Sequence, residues 1–133
     1  MDVLSIEPTD NSPMVLLDPY ALKFEISGAS RPENAGKFYS NVISWLENFN
    51  NTSIWKKNTD GTSSLLSLNL KLEYFNSTSS KYLLDILKVI CLVKEAGCKV
   101  SINWYYDVMD EDMKESGEEF SQLAEVPFQY ISR

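Results

Sequence analysis

Leu72–Leu87, LEYFNSTSSKYLLDIL, holds the end of a strand, a chain reversal and the start of a helix. Leu66, Leu68, Leu70, Leu72 and Tyr74 alternate with Ser67, Asn69, Lys71 and Glu73, the period of a half-buried strand. Beyond Asn76 the spacing changes, and Leu83, Leu84, Leu87, Ile90 and Cys91 fall on one side of a helix. Ser77, Thr78, Ser79 and Ser80 occupy the join, where a helix leaves its first backbone N–H groups unpaired. Ser, Thr and Asn are favoured caps there. One cap does not require a run of hydroxyls.

Outward from this stretch, helices and strands alternate. Met14–Leu17 and Leu22–Ile26 are expected to be short strands joined by a turn at Asp18-Pro19. Ser27–Asn34 is expected to be a turn into a helix, with Ser30 and Glu33 as a capping box and Asn34 as the competing cap. That helix carries Phe38, Val42, Trp45, Leu46 and Phe49 as its apolar stripe, and Asn50–Ser63 follows as a polar loop with a turn at Asp60-Gly61. After the central helix, Gly97 is a plausible residue just past the C-terminus. Val100, Ile102, Trp104 and Tyr106 form the apolar face of a third alternating strand. Asp110–Leu123 is an acidic helix with Met113, Phe120 and Leu123 inward, weakened by Gly117, and Pro127–Ile131 is a last strand.

Helices between successive strands imply crossovers, hence a mixed, mostly parallel sheet with an antiparallel N-terminal hairpin. Strands buried on both faces would be continuously apolar; these alternate. The expected fold is therefore α/β, a two-layer sandwich with all helices on one face. Residues 1–133 are expected to form one domain, long enough for a real core.

Composition narrows the function. The net charge of −7 is concentrated in Asp107–Glu125, which holds eight acids and one lysine, so the remainder is neutral. No basic stripe suits a nucleic-acid partner, and no apolar run approaches the ~20 residues of a membrane span. MDVLSIEPTD lacks the basic and apolar regions of a secretory signal, and Cys91 and Cys98 read as reduced thiols, so a cytoplasmic location is expected. Without histidine the commonest general base is missing. Phosphate-loop, dinucleotide and nucleophile-elbow motifs are absent, and Lys114 and Glu115 spoil a calcium loop. Neither an enzyme nor a cofactor is indicated. The acidic helix is either a solvated face or a docking surface for a basic partner.

The hydroxyl run remains. Its helix has no acid before Asp85, where acids usually offset the positive end of the dipole. A phosphate on Ser77 or Thr78 would meet free N–H groups and could reach Lys81, four residues beyond Ser77. Chemistry alone leaves this reading and a simple cap both open.

The residues also resemble a known family. Ile26-Ser27-Gly28, Ser30-x-Pro32-Glu33-Asn34, Phe38-Tyr39 and Trp45-Leu46 are followed by Leu72-Glu73-Tyr74-Phe75-Asn76, Ser79-Ser80-Lys81 and Leu83-Leu84-Asp85-Ile86-Leu87. Trp104-Tyr105-Tyr106, Asp110-Glu111-Asp112-Met113, Glu115-x-Gly117-x-Glu119 and Pro127-Phe128 complete the pattern. In this order they resemble the SiaC family of bacterial regulatory phosphoproteins, STAS-like domains related to anti-sigma-factor antagonists. The resemblance implies a partner switch. A serine/threonine kinase modifies a hydroxyl just after the Asn of Tyr-Phe-Asn, a PP2C-type phosphatase reverses it, and the unmodified form binds an effector such as a diguanylate cyclase. That would connect the chain to cyclic di-GMP signalling and biofilm behaviour. The family usually has Asn-Thr-Ser-Ser where this chain has Asn76-Ser77-Thr78-Ser79. Position favours Ser77 as acceptor and residue type Thr78, with Asn76, Ser79, Ser80 and Lys81 as partner-contact positions around them. The alternative is a constitutive adaptor acting through its acidic helix.

Overall fold

The computed structural model describes residues 1–57 and 65–133. Its elements are β1 (Leu4–Ile6), β2 (Met14–Asp18), β3 (Lys23–Ser30), α1 (Ala35–Thr52), α2 (Ile54–Lys57), β4 (Leu65–Phe75), α3 (Ser77–Glu95), β5 (Lys99–Tyr106), α4 (Glu111–Ala124) and β6 (Gln129–Ser132). The strands lie in sequence order across one sheet, β1 to β3 antiparallel and β3 to β6 parallel. The crossovers through α1, α3 and α4 all step the same way, so a single hand puts these helices on one face. Val15, Leu17, Phe24, Ile26, Leu66, Leu68, Leu70, Ile102 and Trp104 form the buried side. The other side is polar: Asn103 Nδ2 donates to Asn69 Oδ1 at 2.9 Å, and Lys71 Nζ lies 3.1 Å from Glu25 Oε1. This is the expected two-layer α/β arrangement.

Several local expectations are corrected. β3 runs on through Ser27–Ser30, which reads as a turn because Gly28 and small polar residues interrupt the apolar alternation. Gly28 adopts φ 105°, beside a register shift in the pairing with β4. Ser30 is consequently strand-bound and buried, and Asn34 caps α1, accepting from the Lys37 N–H at 3.0 Å. Tyr39 rather than Phe38 lies in the fully buried stripe with Ala35, Val42, Leu46 and Phe49. α1 extends to Thr52 and α2 follows within the expected loop; the Asp60-Gly61 turn lies outside the described residues. β1 was not expected, being three residues long and, among the described residues, paired with β2 alone.

The register shift has a counterpart on β4. Gly28 pairs with Leu72 but Ala29 pairs with Tyr74, so Glu73 is the extra residue of a bulge. The bulge inverts the facing of the strand. Tyr74, expected inward, is 47% exposed, while Phe75 packs on Trp104 and Phe120.

α3 ends in a complete Schellman motif, with the Gly97 N–H on Lys94 O and the Cys98 N–H on Val93 O. Gly97, at φ 112°, is the residue the sequence singled out for that position. In α4 Leu123 proves to be exposed, and Gly117 takes the inward place. Trp104 explains this: a Cβ on Gly117 would lie 2.6 Å from its indole ring. That ring cannot easily move, since Nε1 donates to Met113 O at 2.9 Å and Phe120 and Phe128 pack against it. Gly117→Ala would gain about 1 kcal/mol of helix propensity but overpack the core, typically by about 1–3 kcal/mol. Net destabilisation is expected, read as a lower denaturation midpoint; a more stable variant would show that α4 can move off Trp104.

Candidate functional site

At the C-terminal end of β4 the chain passes through Asn76 directly into α3. Asn76 is extended, at φ −89° and ψ 173°, and its Oδ1 accepts from the Ser79 N–H at 2.8 Å. Asn76, not a hydroxyl residue, is therefore the cap. Its backbone also ties the turn to the sheet: the Asn76 N–H donates to Ser30 O at 3.1 Å, and Asn76 O accepts from the Ser80 N–H at 3.0 Å.

The hydroxyls then divide into two kinds. Ser79 is fully buried, and its Oγ–H donates to Ser30 O at 3.0 Å. Ser30 Oγ donates to Ser79 Oγ at 2.9 Å and lies 2.5 Å from the Tyr39 hydroxyl. Each hydroxyl has one proton, so with the Ser30 proton committed to Ser79, the Tyr39 O–H must donate to Ser30. A directed chain results, from Tyr39 through Ser30 and Ser79 to the Ser30 carbonyl. Burial raises the Tyr39 pKa above its ordinary value, so the phenol remains a donor. Ser80 Oγ donates back to Ser77 O at 2.6 Å.

Ser77 and Thr78 are different: both are exposed, and among the described residues neither hydroxyl has a hydrogen-bond partner. They are the first two residues of α3. With the Ser79 N–H taken by Asn76, the backbone N–H groups of these same two residues are the ones the helix leaves unpaired. The first turn contains no acid, as read from the sequence. Lys81 is exposed, with Nζ 5.8 Å from the centre of the Tyr82 ring.

The structure thus brings Asn76, Ser77, Thr78 and Lys81 to one surface. Ser79 belongs beneath that surface, which corrects its expected role as a partner contact. Ser80 is half-buried and lines a groove of about 190 Å³ with Phe75, Ser116, Glu119, Phe120 and Leu123. Sequence reasoning missed Ser30 and Tyr39 as the foundation of the turn. Tyr39 was recoverable, since Ala35, Tyr39, Val42, Leu46 and Phe49 keep helical spacing. Ser30 was not, because its partner lies 49 residues away.

Other chemistry is sparse. Cys91 and Cys98 are free thiols whose pKa values burial pushes up, which keeps them protonated and poorly reactive. Among the described residues no cluster of acids and cysteines could hold a metal ion, and no helix is long and apolar enough to cross a membrane.

A family model described as SiaC family regulatory phosphoprotein matches residues 6–133. An uncharacterized protein of Pseudomonas aeruginosa is 34% identical over 128 residues, spanning 96% of this chain and 94% of that protein. The crystal structure of apo-SiaC from Pseudomonas aeruginosa superposes with a TM-score of 0.82 at 31% identity, covering 98% of this chain and 99% of that one. The same figures hold for a chain in the crystal structure of the Pseudomonas aeruginosa diguanylate cyclase SiaD in complex with its activator SiaC. With sequence and fold agreeing over almost its whole length, the chain belongs to the SiaC family of regulatory phosphoproteins.

Proposed function

We propose that this protein is a non-enzymatic, phosphorylation-controlled partner switch whose unmodified form binds and regulates a diguanylate cyclase. A serine/threonine kinase in the cytoplasm adds phosphate to Ser77 or Thr78, and a PP2C-type phosphatase removes it. One observation carries the reading: of the hydroxyls in the run, only those two are exposed and uncommitted, and they adjoin the backbone N–H groups that α3 leaves unpaired. The Pseudomonas aeruginosa relative SiaC, the activator of the diguanylate cyclase SiaD, supports the choice of effector. Ser77 is the favoured acceptor because it follows the Asn76 cap directly.

Phosphate would suit the fold and oppose a partner. It adds about −1.5 to −2 charges at neutral pH, and negative charge at a helix N-terminus is stabilising. If a partner covers this turn, that same charge is stranded away from water, at a cost of several kcal/mol.

Mass spectrometry after incubation with the kinase and a nucleoside triphosphate is expected to find phosphate on Ser77 or Thr78 and none on Ser79. Modification confined to other residues would overturn the site assignment. In calorimetry with a purified diguanylate cyclase, Ser77→Asp/Thr78→Asp is expected to bind at least about tenfold more weakly than Ser77→Ala/Thr78→Ala, equivalent to ~1.4 kcal/mol. The Asp variant should melt about 1–4 °C higher, so its lost binding would not reflect unfolding. Equal affinities would contradict the switch and favour a constitutive adaptor, whose binding would instead fail on reversing Glu111, Glu115 and Glu118.

A further inference from the structure

Exposed cations lie on the three segments that adjoin the switch turn. Arg31 leaves the end of β3, with its backbone N–H on Asn11 O at 2.7 Å and its Nε on Asn11 Oδ1 at 3.2 Å. Its guanidinium lies 5.7 Å from the centre of the Tyr74 ring, on the strand end that leads into Asn76. Lys81 stands one helical turn beyond Ser77. Its neighbour Tyr82 stacks on Tyr39 and reaches the first turn of α1, where a Cβ on Gly36 would lie 3.1 Å from the Tyr82 hydroxyl. Lys37 follows Gly36 in that turn, and all three cations are exposed.

The backbone reinforces this charge. Neither α1 nor α3 has an acid in its first turn, whereas α4 opens with Glu111 and Asp112. The excess acids of the chain lie in Asp107–Glu125. Near the switch, Glu33 and Glu73 are exposed and offset part of the positive charge. Glu33 and Lys37 both line an open cleft of about 580 Å³ walled by Ile6, Pro32 and Phe38.

We infer that the unmodified switch face recognises an acidic segment of the effector, with carboxylates meeting Lys37, Lys81 and Arg31 and an apolar side chain entering the cleft. The inference rests on the proposed function and specifies the partner's chemistry. It accounts for the sign of the switch. Phosphate one turn from Lys81 offsets the cations there and repels the incoming carboxylates. A basic partner would be drawn closer by the same modification, and the switch would run backwards.

Calorimetry of the full chain against the purified diguanylate cyclase that the wild type binds, at low and high salt, tests this. K37E and K81E are each expected to weaken binding about three- to tenfold at low salt, and less at high salt. K37E places an acid in the first turn of α1, where it favours folding, and K81E exchanges an exposed side chain, so melting temperatures should change little. E115K/E118K, on α4, is expected to leave affinity within about twofold of wild type. Unchanged or tighter binding by K37E and K81E would overturn the inference while leaving the phosphorylation switch standing, and loss confined to E115K/E118K would overturn the inference in favour of the constitutive adaptor. A wild type that binds no diguanylate cyclase would overturn both.

Discussion

The buried hydroxyl chain from Tyr39 through Ser30 to Ser79 is the constraint on which the turn from β4 into α3 depends. It joins α1, β3 and the first turn of α3, and each member is fully shielded from water. A buried hydroxyl left unpaired costs about 1–3 kcal/mol, so these elements are satisfied only when all of them are in place. Ser30 also accepts the Asn76 N–H on the carbonyl that receives the Ser79 proton. One strand end therefore fixes both the cap and the third residue of α3. Ser77 and Thr78, between these anchors, can only face outward.

The bulge at Glu73 serves the same end from the β4 side. Without the extra residue, Tyr74 would continue the inward set of Leu68, Leu70 and Leu72, and Phe75 would point to solvent. With it, Phe75 joins Trp104 and Phe120 below the groove, while Tyr74 turns outward against Arg31. Trp104 extends the arrangement to α4, which approaches closely enough only because Gly117 has no side chain. Packing inside the sandwich thus decides which polar groups are presented at its edge.

The layer architecture was legible because it follows from pattern. The alternation of β4 and β5, the helical spacing of α3 and the crossover order led to the sheet actually found. The acid-free first turn of α3 was legible too. What escaped depends on distant contacts. Ser30 resembles a cap until Gly28 and the bulge carry β3 past it, and Tyr74 is apolar enough to hide a change of facing. Leu123 satisfied the helical period yet lost the inward place to Gly117, because Trp104 fills the space a larger residue would need. The hydroxyl run was visible as a run, but its division into buried and exposed members was not, since that division is imposed by Ser30 and Tyr39.

This division bears on how the proposed switch would work. One possibility is that phosphate melts the first turn of α3; the other is that it leaves the turn intact and changes what the surface accepts. The fold argues for the second. Asn76 and Ser79 are held by backbone and buried hydroxyl bonds that phosphate on Ser77 or Thr78 does not touch. Added negative charge at this end of a helix stabilises it further. Under the proposed function, the energy of modification would therefore be felt outside the protein, where a partner would have to bury or repel that charge. A rigid turn beneath a changeable surface suits the proposed switch, because little of a partner's response would be lost to rearrangement within the turn itself.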